Sequence, residues 1–170
     1  PAFPGAKTGG LALSPVFSLG RGVGSRWLSM VDDNISLGLS QGANWRAGVT
    51  GKPLWQRRER DDNALKGLGD IGFGLEAGGF VEYYPLSWLR ARAELRRGFI
   101  AHDALMGDLK LDAFTRLGDN WIAAAGPRLS LAAGDYQRTY FGVTPQQSAA
   151  SGLPTFQPRG GLLSYGAAAQ

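Results

Sequence analysis

The sequence predicts an all-β fold, an antiparallel transmembrane β-barrel that carries one short helix in a long extracellular loop. Three observations carry that expectation. Apolar and polar residues alternate with period two along nearly the whole chain. The alternating segments reach about 9–11 residues, the length of a tilted strand crossing a bilayer, where an ordinary strand has about 5–6. Short connections also alternate with long ones, the habit of outer-membrane barrels.

Composition sets the bounds. A chain of 170 residues is one domain by default, and 26 glycines with 44% hydrophobic and only 19% charged residues favour close-packed strands. There is no cysteine, which removes disulfides and thiolate chemistry. The net charge of +4 comes from basic residues scattered through strands, which disfavours nucleic acid as a partner. No run approaches the roughly 18 apolar residues of a membrane helix. The opening "PAFPGAKTGG" has neither the basic nor the apolar region of a signal peptide, so an exported protein has lost that segment or carries it elsewhere.

The first expected strand is "LALSPVFSL", setting Leu11, Leu13, Phe17 and Leu19 against Ala12, Ser14, Val16 and Ser18. "RWLSMV" and "ISLGLS" follow, the former alternating poorly. "WRAGVTGKPLWQ" opposes Trp45, Ala47, Val49 and Trp55 to Arg46, Thr50, Lys52 and Gln56. The clearest segment is "DIGFGLEAGGFVEYY": Ile71, Phe73, Leu75, Ala77, Val81 and Tyr83 on one face, glycines and the carboxylates Glu76 and Glu82 on the other. "WLRARAELRR" continues the parity with Leu89, Ala91, Ala93 and Leu95 against Arg90, Arg92, Glu94 and Arg96. "LMGDLKLDAFTRL" sets Leu105, Leu109 and Leu111 against Asp108, Lys110, Asp112 and Arg116. "WIAAAGPRLSLAA" places Trp121, Leu129 and Leu131 opposite Arg128 and Ser130, and "RGGLLSYGAAAQ" is the last strand.

Tight turns are expected at 42–44, 85–87 and 118–120, and long loops at 57–69, 98–103 and 134–158. Trp45, Tyr83, Tyr84, Trp88 and Trp121 flank the short turns as a periplasmic aromatic girdle, while Trp55 and Tyr136 lie toward the other rim. If Tyr84 faces Trp88 across "PLS", Glu82 meets Arg90 and Glu76 meets Arg96, opposite charges on one face. The longest loop contains the helix. Thr144 caps it, Pro145 suits its first turn, Gln147 completes a capping box, and Gly152 with Pro154 ends it. Tyr140, Phe141, Gly142, Val143, Thr144 and Pro145 form its anchoring edge, with Tyr140 and Phe141 set against the rim or lumen so that the loop folds over the barrel mouth as a lid.

A one-sided apolar pattern fits a soluble sandwich with that face inward, or a membrane barrel with it outward and charge in the lumen. Few long lysines and many glycines on the polar face favour the latter. The lumen set is then Glu76, Glu82, Arg90, Arg92, Glu94, Arg96, Asp108, Lys110, Asp112 and Arg128, either a cross-strand network filling the interior or a device tuning ion passage. Arg57, Arg58, Arg60, Asp61 and Asp62 form a mixed-charge loop, a solvated tip or a contact for anionic lipopolysaccharide. His102, the single histidine, lacks a serine elbow and a third group, so no catalytic site, metal site or cofactor is expected. "GFGLEAGG" obeys strand parity and is no phosphate loop.

Two segments, "DDNALKGLGDI" and "QRTYFGVTPQQSAASGLPTF", resemble the best-marked stretches of the MltA-interacting protein family, also called MipA/OmpV. "PAFPGAK" is similar to its early P-x-[YF]-x-G loop, with Phe3 and Gly5 in place, and "GPRLSLAAGDYQRTYFGV" to its approach to the long loop. The resemblance covers essentially the whole chain. It implies a Gram-negative, multi-pass outer-membrane barrel with a non-enzymatic envelope role, like the scaffold that connects a lytic transglycosylase to a murein synthase. Outer-membrane lipid and lipopolysaccharide are its surroundings. A small loop-gated channel or a surface adhesin acting through 57–69 and 134–158 are the alternatives. Residues 1–170 then form one barrel domain of about nine strands, where the family implies roughly twelve with a signal peptide, a further N-terminal strand and C-terminal strands.

Overall fold

The computed structural model describes residues 17–20, 26–31, 34–119 and 121–169. They form a single antiparallel sheet of nine strands, each paired with its neighbours in chain order. The strands are β1 (Phe17–Gly20), β2 (Arg26–Val31), β3 (Asn34–Gln41), β4 (Trp45–Leu54), β5 (Gly74–Leu86), β6 (Leu89–Ile100), β7 (Leu105–Leu117), β8 (Trp121–Ala132) and β9 (Gly161–Ala169). Two helices lie between β8 and β9, α1 (Gly134–Phe141) and α2 (Pro145–Ser151). The fold is all-β and antiparallel as expected, and among the described residues the sheet is open and not a closed barrel. Among the described residues β1 and β9 are the sheet's two edges, and the part of the first expected strand before Phe17, with the Phe3 and Gly5 motif, lies outside them. No described helix is long and apolar enough to cross a membrane, which says nothing of strands that do.

The four central strands β5 to β8 have 13, 12, 13 and 12 residues. At about 3.4 Å per residue each spans roughly 40 Å. Period-two alternation places charge and leucine on opposite faces, and burial follows in an inverted sense. Glu82 and Asp112 are 0% exposed and Arg90 and Arg96 are 2% exposed, while Leu95 is 60% and Leu109 50% exposed. Phe73, Leu75 and Leu111 likewise face outward. The apolar face is therefore the outer surface, and the charged face is enclosed.

Curvature does the enclosing. In a flat sheet β3 and β6, three strand spacings apart, would be separated by about 14 Å. Instead Asn34 on β3 donates to Glu94 on β6 at 2.6 Å, and Arg92 on β6 donates to Ser36 on β3 at 2.6 Å. An Asn and a Glu cannot span the flat distance, so the sheet curls with its charged face concave. Ser29 on β2 and Arg46 on β4 repeat the contact at 3.2 Å.

Three local expectations are corrected. Glu82 pairs in register with Arg92 and Glu76 with Gly98, two residues along β6 from the expected partners. The turn has two residues, with Leu86 opposite Leu89, and the ladder is irregular between Tyr83 and Leu86. Pro85 lies in that stretch and has no N–H to give the ladder. A two-residue shift preserves parity, so every side chain keeps its face. The connection at 98–103 is not a long loop: β6 continues to Ile100 and only residues 101–104 remain, with Ala101 in the left-handed region at φ 68°. Gly98 belongs to the strand, where an added Cβ would run into the ring of His102. The long loop also holds two helices, where one was expected.

Candidate functional site

The concave face carries a continuous ion-pair network built from alternate residues of β4 to β8. Glu82 is its hub. It accepts from Arg46 Nε and Nη2 at 3.0 and 3.1 Å, from Arg92 Nη1 at 2.6 Å and from the Tyr84 hydroxyl at 2.9 Å, with Arg90 at 3.8 Å. Arg90 reaches Asp112 at 2.7 Å, and Arg128 takes the other oxygen of Asp112 at 2.7 Å. On the other side Arg92 bonds Glu94 at 2.6 Å, and Glu94 also holds Arg96 and Lys110, the latter at 3.0 Å. Arg96 then bridges Glu76 at 3.0 Å and Asp108 at 2.5 Å, and Ser130 donates to Asp108 at 2.5 Å. Phe80 and Phe114 supply ring faces to guanidiniums, Arg92 lying 4.0 Å from the Phe80 centroid and Arg90 5.2 Å from that of Phe114. Buried charges are tolerated only when paired and hydrogen-bonded; Glu82, Glu94, Asp108 and Asp112 each meet at least two cations or donors, and Glu76 accepts from Arg96.

All ten residues of the expected lumen set lie in this one network. Arg46, Asn34, Ser36 and Ser29 complete it from the far side of the curl. Sequence parity had placed Arg46 on the polar face without linking it to the set, because its partner lies on β5, 36 residues away. Asn34 and the serines carry no charge pattern to mark them.

The long-loop end of the network is closed by a lid. Tyr136 and Tyr140, one turn apart on α1, stack with centroids 4.5 Å apart. They pack with Ala104, Met106 and Ala132 into the principal buried apolar cluster of the described residues. His102 stands edge-on to Tyr136 at 4.9 Å, and its Nε2 lies 3.3 Å from Glu76 Oε1, outside hydrogen-bonding alignment. The histidine is thus the junction between the lid and the charge network. Burial, with Glu76 close by, raises the pKa of both tyrosine hydroxyls, so they remain neutral across the physiological range.

The second long loop locks the lid in place. Arg57, buried and bridged to Ile71, donates Nη1 to the Tyr140 carbonyl at 2.7 Å, a cation on the last turn of α1. Gln147 of α2 donates to the Leu68 carbonyl, and Gly67, at φ 79°, faces the backbone of Ala150 and Ser151 so closely that a Cβ would clash. Thr144 and Gln147 form the capping box at 3.3 and 2.8 Å, and Gly152 exits left-handed at φ 75°. Val143 pairs with Phe156. Arg57 is therefore no part of a solvated tip, whereas Arg58, Arg60, Asp61 and Asp62 stay toward the surface.

Of the expected anchors, Tyr140 and Val143 are buried and Phe141 is half-buried. Tyr136, expected toward the long-loop rim, is at that end with its ring buried against His102. No side chain caps α1, which explains its omission, although Asp135 in its first turn, Arg138 in its last, and the Tyr136–Tyr140 spacing were available as helix signals. Of the expected girdle, Trp45, Tyr83, Trp88 and Trp121 face outward. Tyr84 faces inward, because the hydroxyl finds the buried carboxylate of Glu82.

No curated protein and no solved structure matches the chain. A family description, MltA-interacting protein MipA, matches it from residue 1 to residue 170. With both resembling segments now seen to interlock as the two halves of the lid, and the match spanning every strand, the chain belongs to the MltA-interacting protein MipA family.

Proposed function

We propose that residues 1–170 form one outer-membrane β-barrel domain whose role in the envelope is non-enzymatic: a scaffold that engages MltA, and through it couples murein hydrolysis to murein synthesis. The observation that carries the membrane part is the inverted burial, with Glu82 at 0% and Leu109 at 50% exposure. An aqueous surface of half-exposed leucines, valines and tryptophans around a charged interior is unfavourable in water and favourable in lipid. Membership of a family described by its interaction with MltA supports the partner. The ion-paired interior supports a structural role over an enzymatic one, since its acids and bases are spent on one another. Lipid, and lipopolysaccharide at the long-loop rim, are then the chain's immediate neighbours.

The test is co-purification from cross-linked envelopes with the full-length protein as bait. Recovery of MltA together with a murein synthase is the expected result, and recovery of neither overturns the scaffold. A second reading, a small channel gated by the α1 lid, draws on the buried Tyr136–Tyr140 closure. Planar-bilayer recording separates the two, because a scaffold stays silent when Tyr140 is truncated and a gated channel opens.

A further inference from the structure

We infer that a chamber between β3, β4, β7 and β8 binds a small hydroxy or amino acid, a carboxylate with a hydroxyl or ammonium group beside it. The chamber has a volume of about 180 Å³ and is walled by Asn34 of β3 and Lys52 of β4 on one side of the curl. Asp108, Leu109 and Lys110 of β7 and Arg128, Leu129 and Ser130 of β8 form the other side. It lies on the strands, two residues beyond those that α1 packs on. Lys52 is in register with Glu76, which faces His102, and Asp108 follows two residues after Met106, on which α1 packs.

The polar groups of its walls fall into two sets. Lys110 is paired with Glu94 and Arg128 with Asp112, and Asp108 accepts from Arg96 and Ser130. Two groups are left over. Asn34, 1% exposed, uses its Nδ2 on Glu94, and its Oδ1 has no hydrogen-bond partner. Lys52, half-buried, makes no ion pair among the described residues. A buried carbonyl left without a donor is expensive, and such groups mark either a strained site or a place for a ligand.

The ligand that answers both groups is defined by chemistry. Its acid faces the Lys52 ammonium; Lys110 and Arg128 stand in the same lining with their own carboxylates. A donor next to that acid reaches Asn34 Oδ1. Acetate meets only the first demand and a neutral sugar only the second. At about 30 Å³ per water the volume equals roughly six waters, the size of a solute with about six heavy atoms. This goes beyond the scaffold reading and does not depend on which envelope protein is bound.

The experiment is isothermal titration of the full-length protein, folded in detergent micelles, with lactate, alanine, acetate and inorganic phosphate as probes. Lactate or alanine is expected to bind, with acetate and phosphate at least about tenfold weaker. Lys52→Met, which removes no ion pair among the described residues, is expected to weaken binding by at least about tenfold while heat-shifted gel mobility stays intact. Absence of binding by both lactate and alanine overturns the site, as does full retention in Lys52→Met. Equal affinity for acetate overturns the assigned ligand class by removing the Asn34 contact. Because Asn34 also holds Glu94, the acetate-to-lactate ratio on the unaltered chain, and not an Asn34 variant, reads that contact.

Discussion

Replacing Glu82 by Gln tests the enclosed charge network at its hub. The change keeps the shape and removes the charge that faces Arg46, Arg90 and Arg92. Glu82 accepts four hydrogen bonds, three from guanidiniums and one from Tyr84. An amide offers one acceptor oxygen and turns an NH2 toward a cation. Hydrogen bonds to charged groups contribute about 1.5–3 kcal/mol each, but they share one carboxylate and do not add. Breaking one partner out of a buried pair costs about 3–5 kcal/mol, and that is the expected loss. The assay is urea unfolding of the protein refolded into lipid vesicles, followed by tryptophan fluorescence and heat-shifted gel mobility. Arg97→Gln, which breaks the exposed Arg97–Asp103 pair, is the matched control and is expected to change nothing measurable. A Glu82→Gln, Arg92→Gln cycle gives the coupling between the two directly. If Glu82→Gln costs no more than the control, water reaches the network and the enclosed interior is refuted.

Three further outcomes follow from the same geometry. Leu109→Lys puts a charge on the outer face near the middle of β7, and costs about 2–4 kcal/mol in vesicles if that face meets lipid; a cost near zero would mean that it meets water. Tyr140→Ala removes a stacked aromatic under the lid, a truncation that costs about 3–5 kcal/mol in a packed site, and hydrogen exchange should quicken in α1 and α2 while β5 to β8 stay protected. High pH should release the lid: with the Tyr136 and Tyr140 hydroxyls raised in the folded state, the unfolded chain loses protons first, so stability falls as pH climbs past about 10. Tyrosinate absorbance and protease sensitivity of the 134–158 segment check it, and a lid that stays protected far above that pH would contradict the burial.

How much of this was legible in the sequence depends on the range of each interaction. Parity is local, so the face of every central strand could be read from residues such as Leu109 and Lys110 alone. The α2 capping box is also local, spanning Thr144 to Gln147, and its atoms lie where the residue types require. Register is less local. It hung on the turn at Pro85 to Trp88, and one irregularity moved Glu82 from Arg90 to Arg92 as its in-register partner. The ion pairs survived the slip, because arginine is long enough to reach a carboxylate diagonally, as Arg96 reaches Glu76. Curvature was expected from the barrel reading, but its contacts were not legible. It rests on contacts such as Asn34 with Glu94, 60 residues apart, between uncharged and charged groups that no pattern links. His102 illustrates the same limit: it read as a loop residue, yet the short turn at 101–104 drives it inward beneath α1.

The filled interior bears on the choice between scaffold and channel. Conduction needs a wetted path with binding weak enough to let ions leave. Across the β3 to β8 sector the side chains of Ser36, Arg92, Glu94 and Lys110 meet within hydrogen-bonding range, and opposite charges alternate with no sustained excess of either sign. An ion entering there would have to displace a guanidinium from a carboxylate, trading a bidentate pair for a single contact. The lid adds a second closure at one end, held by Arg57 on the Tyr140 carbonyl. A chain selected to conduct would leave one of these two barriers cheap to remove; the first is tied by buried ion pairs, and the second by the Arg57 bond and the stacked Tyr136 and Tyr140 rings. Among the described residues the geometry therefore weighs toward the proposed scaffold over the proposed gated channel.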